Sequence, residues 1–201
     1  MIFLCGENIN IDEPTAIVAG NFDGIHLGHV KLIDSIKKMA YEQGIKTAVV
    51  SLSPHPAIFF NKKPRFERIN TMEEKKRLIK RQGIDFYVEL TFDDNFVKLS
   101  PREFIEGILI KKLKCAAFAI GEEYRFGNNR EGDAESAKQI FLEFGVRTTI
   151  VTTEKCIVTG EKISSSMIRG LIEGGKINEA NKLLGYNYLT LKRSHNTEFG
   201  L

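Results

Sequence analysis

Two histidines three residues apart, His26 and His29, stand in the run Gly20-Asn21-Phe22-Asp23-Gly24-Ile25-His26-Leu27-Gly28-His29. Imidazoles at that spacing share one side if the run passes into a helix. They can then donate hydrogen bonds to phosphate oxygens and stabilise charge that develops there. The competing reading is that one histidine only caps the turn. A zinc site fits less well, because only His55 and His195 remain and the loop holds no cysteine. A second set of polar residues follows much later, in Ile163-Ser164-Ser165-Ser166-Met167-Ile168-Arg169. Three serines open a helix, and Arg169 lies four residues after Ser165 on the same face. Hydroxyls, helix N–H groups and a guanidinium make a strong anion receptor. The plainer alternative is a serine N-cap beside a solvated arginine.

These residues need elements to hold them. Ala16-Ile17-Val18-Ala19 reads as a buried strand before the histidine run. Val30, Ile33, Ile36 and Met39-Ala40 follow at helical spacing, with Gly44 as a stop. The histidines thus sit where a strand turns into a helix, the place where N–H groups and a helix dipole meet a phosphate. Further strands are expected at 46–52, 85–90, 115–120 and 146–152. Ser53-Pro54-His55-Pro56 breaks the second, and an irregular stretch runs to Asn70. Thr71 with Glu74 makes a capping box for a helix ending at Gly83. Ser100-Pro101-Arg102-Glu103 opens another, whose buried stripe is Phe104, Ile105, Ile108, Leu109 and Leu113. Gly121 to Gly132 is a loop, and Asp133 caps a helix carrying Ile140, Phe141 and Phe144. Lys155 to Ile163 suggests a small hairpin, and short helices are expected near 165–173 and 178–184. Strands joined by helical crossovers predict an α/β fold. It is a Rossmann-like parallel sheet with helices on both faces and small loop or hairpin insertions. Ligands in such sheets bind beyond the strands' carboxyl ends, at a topological switch point.

Composition narrows the class. The 201 residues suffice for one substantial core, with 42% hydrophobic and 27% charged residues, as in a globular protein. A formal charge of +3 is too mild to argue for nucleic acid and suits anionic small molecules. No run approaches membrane-spanning length, and Met1 to Glu7 does not read as a signal peptide. Cys5, Cys115 and Cys156 are widely spaced and odd in number, which suits reduced thiols in the cytoplasm. Residues 189–201 read as a tail without clear period. The sequence leaves the oligomeric state open.

The familiar phosphate loops are missing. No GxxxxGK(S/T) is present, and no GxGxxG joins the first strand and helix. The pair GNFDGIHLGH and ISSSMIR instead resembles the HxGH and ISSTxxR signatures of the nucleotidylyltransferase superfamily. SPHPAIFF at 53–60, INTMEEK at 69–75, LSPREFIEGIL at 99–109, GEEYRFGNNREGD at 121–133 and EANKLLG at 179–185 extend the likeness. Together they resemble the FAD synthetase (FMN adenylyltransferase) module of bacterial bifunctional riboflavin kinase/FAD synthetases, from about Thr15 to Tyr188.

That resemblance implies a domain over 1–188 that transfers the adenylyl group of ATP to FMN with Mg²⁺. It implies catalytic roles for His26, His29 and Arg169. ATP would be held by Gly20, Asn21, Phe22, Asp23, Gly28, Ser164, Ser165 and Ser166. Flavin would be approached by Pro54, Pro56, Phe60, Tyr124 and Phe126. Read from the residues alone, aromatics on loops can stack on a flat ring or simply pack, as for Phe59, Phe60, Phe66, Tyr124 and Phe126. Ser53, Glu123, Tyr124 and Ser166 depart from the family pattern. The family's riboflavin kinase barrel normally follows the LLG helix, and no kinase activity is expected of these residues. Two alternatives stay open: a nucleotidylyltransferase with another phosphorylated acceptor, and a catalytically idle flavin- or nucleotide-binding protein.

Overall fold

The computed structural model describes residues 1–6, 9–60, 67–152, 160 and 162–196, with 193–196 described by backbone alone. The chain forms two compact units. One comprises Met1–Asn21, Leu32–Phe66 and Gly83–Thr152; the other comprises Phe22–Lys31, Glu67–Gln82 and Thr153–Leu201.

The first unit is built on a six-stranded parallel sheet. Its strands are β1 (Ile2–Cys5), β2 (Thr15–Ala19), β3 (Lys46–Ser53), β4 (Phe86–Thr91), β5 (Cys115–Gly121) and β6 (Arg147–Val151), in the order β1-β4-β3-β2-β5-β6. Five of these stand where apolar runs predict them. β1 is the addition: four half-exposed residues at a sheet edge carry no period to read. β2 is central and wholly buried, as expected of a strand flanked on both sides and covered on both faces. From β2 the chain moves outward through β3 to β4, then returns past it to β5 and β6. The helix α1 (Leu27–Gln43) joins β2 to β3, and α6 (Ala134–Glu143) joins β5 to β6. The two crossovers run in opposite directions, so right-handed connections put their helices on opposite faces. The switch point is the carboxyl end of β2, at Gly20 and Asn21.

Local signals explain most of the connections. α1 buries Ile33, Ile36, Met39 and Ala40, the spacing of one helical stripe. The irregular stretch after β3 contains one turn of helix, α2 (Pro56–Phe59), capped by His55, whose Nδ1 accepts from Ala57 N at 3.1 Å. A further turn, α4 (Asp94–Val97), is capped by Asp93. The Ser100–Glu103 capping box is present and opens α5 (Pro101–Glu103), but the chain then continues as a π-helix over Phe104–Lys112. Steps of five and four between the buried Phe104, Leu109 and Leu113 suit its wider winding better than an α-helix. Asp133 caps α6 as predicted.

The second unit gathers three separated stretches around a small core of Ile69, Ile163, Ile168, Ala180, Leu183 and Leu184. Its helices are α3 (Met72–Arg81), α7 (Ser165–Glu173), α8 (Ile177–Leu184) and α9 (Tyr188–Asn196). The Thr71–Glu74 capping box opens α3. Glu74 also receives Lys192 Nζ at 2.8 Å, and Leu191 is buried. The residues after 188, which show no clear period, are therefore helical and packed at least through Lys192. Of the hairpin suggested over 155–163, residues 155–159 and 161 lie outside the described part, as do Phe66, Cys156 and the His195 side chain.

Candidate functional site

The second unit contains the histidine run from Phe22 onward. Phe22 (φ 49°), Gly24 (φ 89°) and Ile25 (φ 40°) are all left-handed. Bulky residues pay a conformational penalty there, typically found where a function requires the shape. Phe22 and Ile25 are 0% and 1% exposed, so burial offsets the strain. The turn delivers His26 O to the N–H groups of His29 (2.8 Å) and Val30 (3.0 Å), which starts α1.

The two imidazoles stack, with centroids 3.7 Å apart and planes 22° apart, and Phe22 leans on His29 at 5.0 Å. Gly28 makes room for this arrangement: a Cβ there would lie 3.2 Å from both Nδ1 and Cε1 of His26. Burial pushes His26 down to about 4, helped by the positive charge of Lys162. His29 is held well below the ordinary histidine range by burial first, then by His26, Lys75 and Lys162. Both rings are therefore neutral near pH 7. Nδ1 of each is buried without a hydrogen-bond partner among the described residues. Two such nitrogens on one turn suit a ligand that supplies their partners.

The late serine cluster meets this turn, although Asp23 and Arg169 are 146 residues apart in sequence. Ser165 Oγ donates to Asp23 O at 2.7 Å, and Arg169 Nη1 donates to Asp23 Oδ2 at 2.6 Å. Arg169 Nη2 donates to Ser166 Oγ at 3.1 Å. Ser164 is the N-cap, its Oγ accepting from Met167 N at 3.2 Å. The plain capping role thus holds for Ser164, while Ser165 and Ser166 tie the helix start to the turn and to the arginine. The Asp23 carboxylate also accepts from Ile69 N at 2.9 Å. Burial raises its pKa, against the pull of Arg169 and of the Ile69 and Asn70 N–H groups.

Asp23 as the arginine's partner was not legible in the sequence, nor were Asn70, Lys75 and Tyr186 as neighbours of the turn. Lys75 is 4% exposed on α3, on one face with Leu78 and Ile79. A lysine within an apolar stripe was the available signal. Asn70 is fully buried immediately before the Thr71 cap.

The first unit has its own cavity, of about 580 Å³, which falls in the range of small-molecule sites. Gly20 and Asn21 reach it from the end of β2, as do Pro56 from α2, Phe60 immediately after α2, and Tyr124 and Phe126 from the loop after β5. Pro54 is not among its lining residues. Its wall includes a connected series of rings: Phe60–Phe92 at 5.7 Å, Phe92–Phe96 at 5.5 Å, Phe96–Phe104 at 5.7 Å and Phe104–Phe126 at 5.8 Å. Tyr124 stacks on Phe126 with planes 18° apart, and burial pushes its phenol up to about 12. Arg125 and Arg130 add positive charge at the cavity. A flat apolar ring system bearing an anionic group fits these walls. Of the sequence-derived residues, then, Phe22, Asp23, His26, Gly28, His29, Ser164, Ser165, Ser166 and Arg169 gather in one unit. Gly20, Asn21, Pro56, Phe60, Tyr124 and Phe126 gather in the other.

A family model described as FAD synthetase matches residues 8–167. The chain is 35% identical over 188 residues to a bifunctional riboflavin kinase/FMN adenylyltransferase of Listeria monocytogenes, covering 90% of this chain and 58% of the relative. It is 34% identical over 176 residues to the protein of that name in Buchnera aphidicola, with 87% and 56% covered. It thus spans less than two thirds of these relatives' length. Among solved structures, one described as a macrolide-efflux protein of Streptococcus pneumoniae superposes with a TM-score of 0.84 at 30% identity, covering 94% of this chain and 72% of that one. Thermotoga maritima TmcAL shares the fold, with a TM-score of 0.58 at 13% identity, covering 92% of this chain and 56% of that one.

Proposed function

The chain belongs to the FAD synthetase family, and from that premise we propose that it transfers the adenylyl group of ATP to FMN, giving FAD and pyrophosphate. The observation that carries the proposal is the Asp23–Arg169 and Asp23–Ser165 linkage, which gathers the histidine turn and the serine–arginine helix start into one anion-binding unit. The proposal assigns the triphosphate to that unit and the flavin to the aromatic cavity of the other.

In this reaction a phosphate oxygen of FMN forms a bond to the α-phosphorus of ATP. The bond from that phosphorus to the β-phosphate oxygen breaks, and pyrophosphate leaves with the electron pair. The attacking phosphate is already an anion, so no strong base is required, and positioning with charge neutralisation carries the rate. His26 and His29, neutral in the fold, act as hydrogen-bond donors to phosphate oxygens. The positive charge comes from Arg169 and, on this reading, from Lys75.

Magnesium is expected to arrive on ATP. Among the described residues no cluster of three His, Cys, Asp or Glu side chains is placed to hold a metal, and Asp23 already bonds Arg169 and Ile69. Bound with ATP, the ion would neutralise phosphate charge. The reading is of a cytoplasmic enzyme of small nucleotides. No helix among the described residues is long and apolar enough to cross a membrane. A panel of ATP and CTP against FMN and other phosphorylated acceptors, scored by pyrophosphate release, tests the proposal. ATP with FMN is expected to stand far above every other pair; a stronger signal with a different acceptor overturns it.

A further inference from the structure

The strained turn that carries His26 and His29 is gripped by residues beyond both motifs. Three consecutive residues at the end of α8 meet it. Leu184 packs over Gly24, where a Cβ would come within 3.3 Å of Leu184 Cδ2. Gly185 lies against Leu27, the residue after His26: a Cβ on it would sit 2.9 Å from Leu27 Cδ2. Gly185 is also left-handed, with φ 77°, so the close approach and the backbone shape both call for glycine. Tyr186 Oη lies 2.8 Å from Gly24 O and 3.2 Å from the Asn70 side-chain amide.

A phenol has one proton, and the shorter contact, to Gly24 O, takes it. The Asn70 amide must then present a donor to Tyr186 Oη. Its Nδ2 is buried with no partner when Oδ1 faces the phenol. Turning the amide over, a change of assignment rather than of shape, brings Nδ2 to that position. With the amide so turned, Asn70 Nδ2–H donates to Tyr186 Oη, whose own proton goes to Gly24 O.

We propose that Tyr186 is a positioning residue for the phosphate turn, fixing the Gly24 peptide and through it the stacked pair His26 and His29. Gly24 stands between two left-handed non-glycine residues, Phe22 and Ile25, so its peptide orientation sets how the strained turn delivers His26. The burial that surrounds the phenol raises its pKa well above the ordinary tyrosine value, so it stays protonated and keeps donating across the working pH range. This proposal rests on the reading of the turn as the triphosphate site.

Tyr186→Phe in the full chain removes the hydroxyl and keeps the ring. The matched control is Tyr188→Phe, two residues on, whose ring packs on the same core and under Lys192. Expected for Tyr186→Phe are altered ring-proton resonances of His26 and His29 and a loss of kcat/KM for ATP on the order of ten- to a hundredfold. KM for FMN is expected to stay within twofold. Tyr188→Phe is expected to change none of these. Asn70→Ser gives the same direction at smaller amplitude and replaces Tyr186→Phe if that variant does not fold. Unchanged histidine resonances in Tyr186→Phe, or the same disturbance in Tyr188→Phe, overturn the proposal. If the wild type makes no FAD, the histidine resonances and calorimetric ATP binding still decide the positioning role, separately from the reaction.

Discussion

The two units solve opposite problems. The first is built on a sheet, and its cavity is lined by rings whose burial is itself stabilising. The second concentrates polar groups that are costly to bury: Asp23, His26, Asn70, Glu74 and Lys75 are all less than 9% exposed there. Each such group needs a partner or a changed protonation state. Asp23 finds Arg169, Ile69 and Asn70, Glu74 finds Lys192, and the histidines stay neutral. An apolar site survives loosening of its walls, whereas a polar one depends on each bond. Substitutions should therefore act on rate and nucleotide affinity in the second unit, and on acceptor affinity in the first.

The sharpest way to break that division is His29→Ala. It is expected to lower kcat for FAD formation by about tenfold to a thousandfold, as for loss of one transition-state donor, with little effect on FMN affinity. An unchanged kcat removes His29 from the mechanism. Arg169→Ala comes next. It leaves the Asp23 carboxylate, 3% exposed, without its guanidinium. Unfolding in urea should show a loss of about 3–5 kcal/mol, the usual cost of halving a buried pair. Calorimetry should show ATP binding weakened more than FMN binding; the reverse order contradicts the assignment. In the first unit, Phe60→Ala should raise the Kd for FMN by about five- to tenfold, the worth of one aromatic contact, and leave ATP binding alone. Equal effects on both ligands would erase the division.

A further effect concerns acid. His26 and His29 have folded pKa values below the unfolded 6.5. Between 6.5 and about 4 the unfolded chain binds protons that the folded chain does not, so stability falls as pH falls through that window. The loss is at most about 1.4 kcal/mol per histidine per pH unit. Asp23, held above its ordinary value, works in the opposite sense near pH 4, so the comparison is cleanest between pH 6.5 and 5. Urea titrations there should show the loss shrinking in His26→Asn. A slope that is the same in the variant contradicts the burial of that ring.

The same contrast explains what the sequence discloses. β2 to β6 and the caps at Thr71, Ser100 and Asp133 follow from apolar runs and local hydrogen bonds, each contained within a few residues. β1 escapes because an edge strand of four residues has no buried face to give it a period. The π-helical winding of 104–112 is a packing outcome that the same stripe written as an α-helix does not announce. In the site, His26, His29 and Arg169 stand out by type and spacing. Asp23 and Tyr186 do not, because their roles arise from partners more than a hundred positions away. An aspartate in a glycine-rich turn and a tyrosine after a helix stop look ordinary until the fold supplies Arg169 and Gly24.

The most direct test incubates the protein with ATP, Mg²⁺ and FMN and follows the flavins by chromatography. The account predicts FAD and pyrophosphate in equal amounts, with FAD formation strongly reduced in His29→Ala. No FAD from a protein that binds both ATP and FMN, or undiminished FAD from His29→Ala, would contradict it.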